Sequence, residues 1–135
     1  MKGRCACGAI VVALARRPEW INRCDCSVCL RLGAAWGYFR PNEVTISGET
    51  SRFVRTDVPK AYSTFHFCPA CSSTTHWSRL RENQKPQTGI NMRLFEPDDL
   101  QGIEVRFSDG LRQAPGGPLP PPRHEPITIR NRWPT

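Results

Sequence analysis

Three cysteines within six residues constrain this chain more than any other feature: Cys24-Asp25-Cys26-Ser27-Val28-Cys29, spaced C-x-C-x-x-C. The backbone between them is too short to spread the side chains apart. A soft divalent cation accounts well for such crowding. Zinc takes thiolates at about 2.3 Å and prefers four ligands in a tetrahedron. The stretch offers three, so the fourth position falls to a distant residue, to water or to a small molecule.

The other four cysteines form two pairs. Cys5 and Cys7 make a C-x-C before Gly8, and Cys68 and Cys71 make a C-x-x-C across Pro69 and Ala70. Two such pairs from distant parts of a chain make a closed four-thiolate site, the usual structural zinc arrangement. A disulfide framework fits less well: seven is odd, 135 residues is long for a stapled mini-domain, and cysteines two apart pair poorly with each other. Asp25, His66 and His76 are the candidates for a fourth ligand to the Cys24, Cys26, Cys29 group, and each is expected in another role. Asp25 is too close in sequence to bend back, His66 lies in an alternating strand, and His76 sits beside Trp77.

The length suits one domain with a modest core. No apolar run approaches the ~20 residues needed to cross a bilayer, so no membrane is expected as a partner. Lys2 and Arg4 ahead of Ala9–Ala15 imitate a signal peptide. Cleavage there would discard Cys5 and Cys7, so the run is expected to be a buried strand and the compartment the reducing cytoplasm. The formal charge of +7 counts every thiol as neutral. A filled four-thiolate zinc site carries two negative charges and a filled three-thiolate site one, which leaves about +4. The sixteen arginines and three lysines are scattered rather than blocked. That distribution suits a solvated surface or an attraction for small anions before a nucleic-acid footprint.

Taken in order, the chain reads as mainly β. Gly3 to Gly8 form a knuckle. Ala9–Leu14, β-branched and continuous, are expected to be a strand buried on both faces. Strands follow at 20–23 and 35–39, separated by the three-cysteine loop and one helical turn at 27–32 that Gly33 ends. Residues 43–47 alternate up to Gly48-Glu49, so 52–55 are expected as a hairpin partner. Residues 61–67 deliver Cys68, and 74–79 leave the second knuckle as another strand. Residues 81–88 make a polar loop, with two more strands at 90–94 and 103–107. Residues 115–126 hold six of the thirteen prolines. Such a segment cannot join a central sheet, so residues 115–135 are expected outside the core, on the surface or against another subunit. Within them, 127–129 can add an edge strand to this chain or to a neighbour, and Trp133 can anchor the arm. The division is therefore residues 1–112 as a zinc-binding domain and residues 113–135 as a proline-rich tail, which also offers a homodimer contact.

The order C-x-C-G, C-x-C-S-x-C, F-C-x-x-C resembles the family of glutathione-dependent formaldehyde-activating enzymes, which includes centromere protein V. The similarity runs from Gly3 to about Gly110 and takes in Asn91-Met92-Arg93-Leu94 and Asp98-Asp99-Leu100. It implies several small curled antiparallel sheets joined by zinc knuckles, the β-tent. It implies two zinc ions: a structural one on Cys5, Cys7, Cys68 and Cys71, and a functional one on Cys24, Cys26 and Cys29. Two positions depart from the family pattern. Asp25 stands where histidine is common, and Ser72 where glycine is common; neither change removes a ligand.

A three-thiolate zinc with an exchangeable fourth position can hold a thiol as thiolate and present it to an aldehyde carbon. The resemblance implies such a carbon–sulfur lyase, acting on glutathione and formaldehyde. Trp36, directly after the functional loop, is a candidate wall of the thiol pocket, as are Tyr38 and Phe39. Arg31 and Arg93 are candidates to hold the carboxylates of a glutathione-like ligand. The alternative is a zinc-stabilised binding module without catalysis, with a protein or nucleic acid as partner.

Overall fold

The computed structural model describes residues 1–114 and 117–133. Its strands, in chain order, are β1 (Lys2–Arg4), β2 (Val11–Leu14), β3 (Ile21–Asn22), β4 (Trp36–Phe39), β5 (Val44–Ser47), β6 (Ser51–Val54), β7 (Ser63–Phe67), β8 (Thr74–Arg79), β9 (Thr88–Asn91), β10 (Glu104–Phe107) and β11 (His124–Thr128). One helix, α1 (Ser27–Leu32), lies between β3 and β4, and tight 3-10 turns cover Pro41–Glu43, Met92–Leu94 and Pro97–Leu100. The protein is mainly β, in two sheets. The smaller has the order β1-β2-β5 and the larger β11-β10-β3-β4-β9-β8-β7-β6. Neighbours run antiparallel except β3 and β10, which run parallel. Among the described residues, no helix is long and apolar enough to cross a membrane.

The main core lies where the two sheets meet. Val12 and Leu14 from the small sheet pack with Ile21, Phe39, Ile90 and Val105 from the large one, closed by Met92, Phe95 and Leu100 from the 3-10 segments. Gly89 permits a close approach: a methyl group there would sit 1.9 Å from the Trp77 indole nitrogen. A second apolar cluster gathers Cys29, Ala34, Trp36, Phe65 and Trp77, and a third gathers Cys5, Ile10 and Cys68. Each cysteine group thus has its own apolar backing.

The strand expected at 90–94 ends at Asn91, and residues 92–94 turn as a 3-10 segment. Three further expectations change. First, β2 is buried on one face only, since Val12 and Leu14 are buried while Val11 and Ala13 are half-buried. It sits between β1 and β5 in the small sheet, whose other side faces away from the core. Second, β5 and β6 do not form a hairpin. β5 pairs with β2 and β6 pairs with β7, so residues 48–50 carry the chain from one sheet to the other. Gly48 makes the crossing with φ of 99°, where a Cβ would lie 2.3 Å from the Ala9 carbonyl oxygen. Ile46, packed against the Cys5–Ile10–Cys68 cluster, holds β5 to the small sheet.

Third, the proline-rich arm does not stay wholly outside the core. β11 is the edge strand expected near 127–129, added to this chain along β10, but Ile129 is 1% exposed among the main core residues. The prolines explain the irregular join: the register slips between Val105 and Phe107, and Pro126, with no N–H to donate, falls out of the ladder. An edge strand tolerates that, as a central strand would not. Residues 115–116 and 134–135 lie outside the described part of this arm.

Candidate metal centres

Four cysteines from opposite ends of the β-structure converge. Cys5 and Cys7 follow β1 in a tight turn, in which Gly8 has φ of 81° and donates its N–H to the Cys5 carbonyl at 3.0 Å. Cys68 and Cys71 lie between β7 and β8. There Ser72 adopts φ of 64° and donates to the Cys68 carbonyl at 2.8 Å. That left-handed position is where glycine is the easier residue, so serine is held there by the turn. Ser73 joins the knuckles: its hydroxyl accepts from the Ala6 N–H at 3.1 Å and lies 3.2 Å from the Cys71 sulfur. This hydroxyl is the first cause of a Cys71 pKa lowered to about 5.

The sulfur spacing tests the fit to a metal. A tetrahedron with metal–sulfur bonds of about 2.3 Å has edges of about 3.8 Å. The Cys5–Cys7 and Cys7–Cys68 sulfurs are each 3.7 Å apart, and all four sulfurs lie within 4.8 Å of one another. Four soft donors in a tetrahedral cage suit zinc. Cys5 and Cys68 are buried, so the cage is closed on its inner side.

The second group is local in sequence. Cys24 and Cys26 lie in the loop after β3, and Cys29 lies in the first turn of α1, with the three sulfurs within 4.8 Å. The helix ends at Gly33, whose φ of 63° lets its N–H close on the Cys29 carbonyl at 3.0 Å. Two N–H groups point at sulfur: Cys26 N–H at the Cys24 sulfur, 3.4 Å, and the buried Trp36 indole N–H at the Cys29 sulfur, 3.3 Å. Such donors favour thiolates. The three thiols also compete for protons. Hydrogen bonds with Cys24 and Cys29 hold the Cys26 thiol well below its ordinary value, while those of Cys29 with Cys24 and Cys26 push Cys29 up, aided by its burial. One sulfur ionises readily and its neighbours resist. A cation that takes all three as thiolates removes that conflict. Neither group includes a histidine or a carboxylate, so the second group has three donors.

Cys24 and Cys26 open onto a cleft of about 620 Å³. Its walls include Arg55, Lys60, Tyr62 and Phe65, together with Gly110, Leu111 and Gln113 from the segment after β10. Arg55 is built in rather than free. It grips Asp57 with Nε and Nη2, at 2.8 and 2.9 Å, and its Nη2 also donates to the Ser27 hydroxyl at 2.7 Å. The grip holds the Asp57 carboxyl well below the usual carboxylate range. The Lys60 ammonium lies 5.7 Å above the Tyr62 ring.

The sequence-derived pocket residues lie elsewhere. Trp36 is 2% exposed and meets the site through its N–H to Cys29 rather than as a cleft wall. Tyr38 and Phe39 line a separate groove with Trp20 and Arg40. Arg31 is exposed and turns back to the Ser27 carbonyl at 2.9 Å, and Arg93 lies over the Trp133 ring at 5.1 Å. His66 and His76 stack face to face, with ring centroids 4.0 Å apart. Burial lowers both pKa values, that of His76 to about 4. Asp25 binds the Leu111 N–H at 3.2 Å and Arg123 at 3.4 Å. Sequence inspection missed Arg55, Lys60, Tyr62, Gly110 and Arg123. Only Gly110 carried a signal, as the last residue before the composition changes: a Cβ there would lie 2.5 Å from the Cys24 sulfur.

Comparison with known proteins agrees with this geometry. The family profile described as "Glutathione-dependent formaldehyde-activating enzyme" matches residues 1–106. A crystal structure of a Rhodobacter sphaeroides protein is similar over 76% of this chain and 97% of its own, with 27% sequence identity and a TM-score of 0.58. No curated protein matches significantly.

Proposed function

We propose, from the premise that this chain belongs to the glutathione-dependent formaldehyde-activating enzyme family, that it binds two zinc ions and makes or breaks a thiol–aldehyde adduct at the second. In this reading residues 1–112 are the zinc-binding domain, and the described part of residues 113–135 is an arm laid onto it. Cys5, Cys7, Cys68 and Cys71 hold the structural ion. Cys24, Cys26 and Cys29 hold the functional one, and the substrate is a small thiol such as glutathione with formaldehyde. Seven free cysteines fit a reducing, cytoplasmic setting.

The single observation that carries the proposal is the pairing of a three-donor group with a cleft. The four-cysteine cage supplies all four donors from its own sulfurs, whereas Cys24, Cys26 and Cys29 supply three, and Cys24 and Cys26 line a space large enough for a tripeptide. When bound, zinc supplies the Lewis acidity that keeps a neighbouring thiol ionised near neutral pH.

This chain's own residues do the rest. Trp36 and the Cys26 amide donate to the ligating sulfurs and fix their orientation. The Arg55–Asp57–Ser27 network stiffens the wall beside Cys26. Lys60 offers the cleft an ammonium for a substrate carboxylate. In the reaction the substrate sulfur attacks the aldehyde carbon, a C–S bond forms, the C=O becomes C–OH, and the thiol proton ends on that oxygen. The reverse step returns thiol and aldehyde.

Cobalt replacement tests the proposal, because sulfur-to-cobalt charge-transfer absorption reports the number of sulfur ligands. Glutathione added to the cobalt protein raises that absorption and releases protons, and Cys26→Ser abolishes the response while the protein stays folded. A spectrum that ignores glutathione with both sites loaded would favour the non-catalytic binding module instead.

A further inference from the structure

The segment after β10 crosses the mouth of the second cysteine group. Gly110 packs so closely that an added methyl group would meet the Cys24 sulfur at 2.5 Å and the Cys26 Cβ at 2.8 Å. Leu111 and Gln113 continue as one wall of the cleft. Within the segment, the Asp109 carboxylate accepts from the Arg112 N–H at 3.2 Å and fixes its turn.

One side chain from the arm ties this segment to the cysteine loop. Arg123 sits just before β11, its N–H donating to the Phe107 carbonyl at 3.0 Å and its guanidinium lying 5.2 Å from the Phe107 ring centre. Its Nη2 donates to the carbonyl of Arg23, the residue before Cys24, at 2.9 Å. Its Nε lies 3.3 Å from the Ser108 carbonyl and 3.4 Å from the Asp25 carboxylate. The other oxygen of Asp25 accepts from the Leu111 N–H at 3.2 Å. A single guanidinium therefore joins Ser108 directly, and Leu111 through Asp25, to the residues on either side of Cys24. Arg123 lies beyond the family match, which ends at residue 106.

We propose that residues 108–114 form a strap across the mouth of the second metal centre, and that Arg123, acting through Asp25, is the positioning residue that holds it there. The arm thereby sets how fast chelators and thiols reach the metal. The inference rests on the metal reading above for one of its two measurements only.

The first measurement is amide exchange at Leu111 by NMR in the isolated protein, which reads the strap whether or not the second centre holds metal. Arg123→Ala is expected to speed that exchange about fivefold to tenfold, the loss of a charged hydrogen bond at a half-buried site, and Arg123→Lys to recover part of it. The second is removal of cobalt by the chelator 4-(2-pyridylazo)resorcinol. Arg123→Ala is expected to speed loss from the second centre by a similar factor and leave the four-cysteine cage unchanged. Unchanged Leu111 exchange overturns the proposal, and so does equal loosening of both centres, which would make Arg123 a general stability residue. If the second centre takes up no cobalt, the metal reading fails, and the Leu111 exchange still decides whether Arg123 holds the strap.

Discussion

The two cysteine groups use the same donor atom in opposite ways. The four-cysteine cage joins residues more than sixty positions apart, with Cys7 and Cys68 sulfurs 3.7 Å from each other. Its two knuckles belong to different sheets, and its buried members Cys5 and Cys68 pack with Ile10 into a core of their own. The three-cysteine group closes a loop of only six residues and faces a cleft. A long loop closed by a metal removes much chain entropy, and a short loop removes little. On the proposed reading the cage would hold the fold, and the three-cysteine group would exchange a ligand.

The sharpest break of that comparison is Cys5→Ser or Cys68→Ser. Structural zinc contributes about 10–16 kcal/mol in small metal-folded domains, as much as the whole stability of a typical domain. These variants are expected to lose cooperative melting by circular dichroism, and a wild-type melting temperature would remove the structural role from the cage. Cys26→Ser comes next. It is expected to lower metal content, by mass spectrometry, from about two ions per chain to about one, with a melt still cooperative. Unfolding as complete as that of Cys5→Ser would show that both groups carry the structure.

Ile129→Ala probes the main core, which holds neither cysteine group. Emptying this buried site should cost about 2–5 kcal/mol in denaturant unfolding. Both centres should keep their metal. A cost near zero would detach the arm from the core. Trp36→Phe is the finest of the four. It keeps the ring packed and deletes the N–H to Cys29, and should weaken metal at the second centre about tenfold in chelator competition. An equal change at the cage would break the distinction between the centres.

Much of this was legible along the chain because short-range chemistry encodes it. The cysteine spacings pick out both groups, and the C-x-C and C-x-x-C turns force their sulfurs together wherever the chain goes. β8 runs over 74–79, the strand expected to leave the second knuckle, and α1 stops at Gly33 as its αL cap requires. Strand partners were less legible. β5 and β6 look like a hairpin because the residues between them favour a turn, yet a turn also serves a chain that changes sheets. The arm was legible in part: the edge strand near 127–129 was expected, but the prolines before it gave no sign that Ile129 would be buried in the main core.

The cleft was the least legible part. Arg31 and Arg93 are near the cysteine motifs or the family motifs in sequence, but one turns back along its helix and the other rests on Trp133. Arg55, Lys60 and Tyr62 reach the cleft from the β6–β7 connection and Leu111 from beyond β10, where Arg123 pairs with Asp25. By itself the sequence determined the donor set, its division into four and three, and the β character of the chain, because thiol spacing and alternation act within a few residues. Only the tertiary structure decided which group faces a cleft, which cations wall it and what lies across it. Those depend on side chains brought together from up to a hundred residues apart, as Arg123 is with the Arg23 carbonyl.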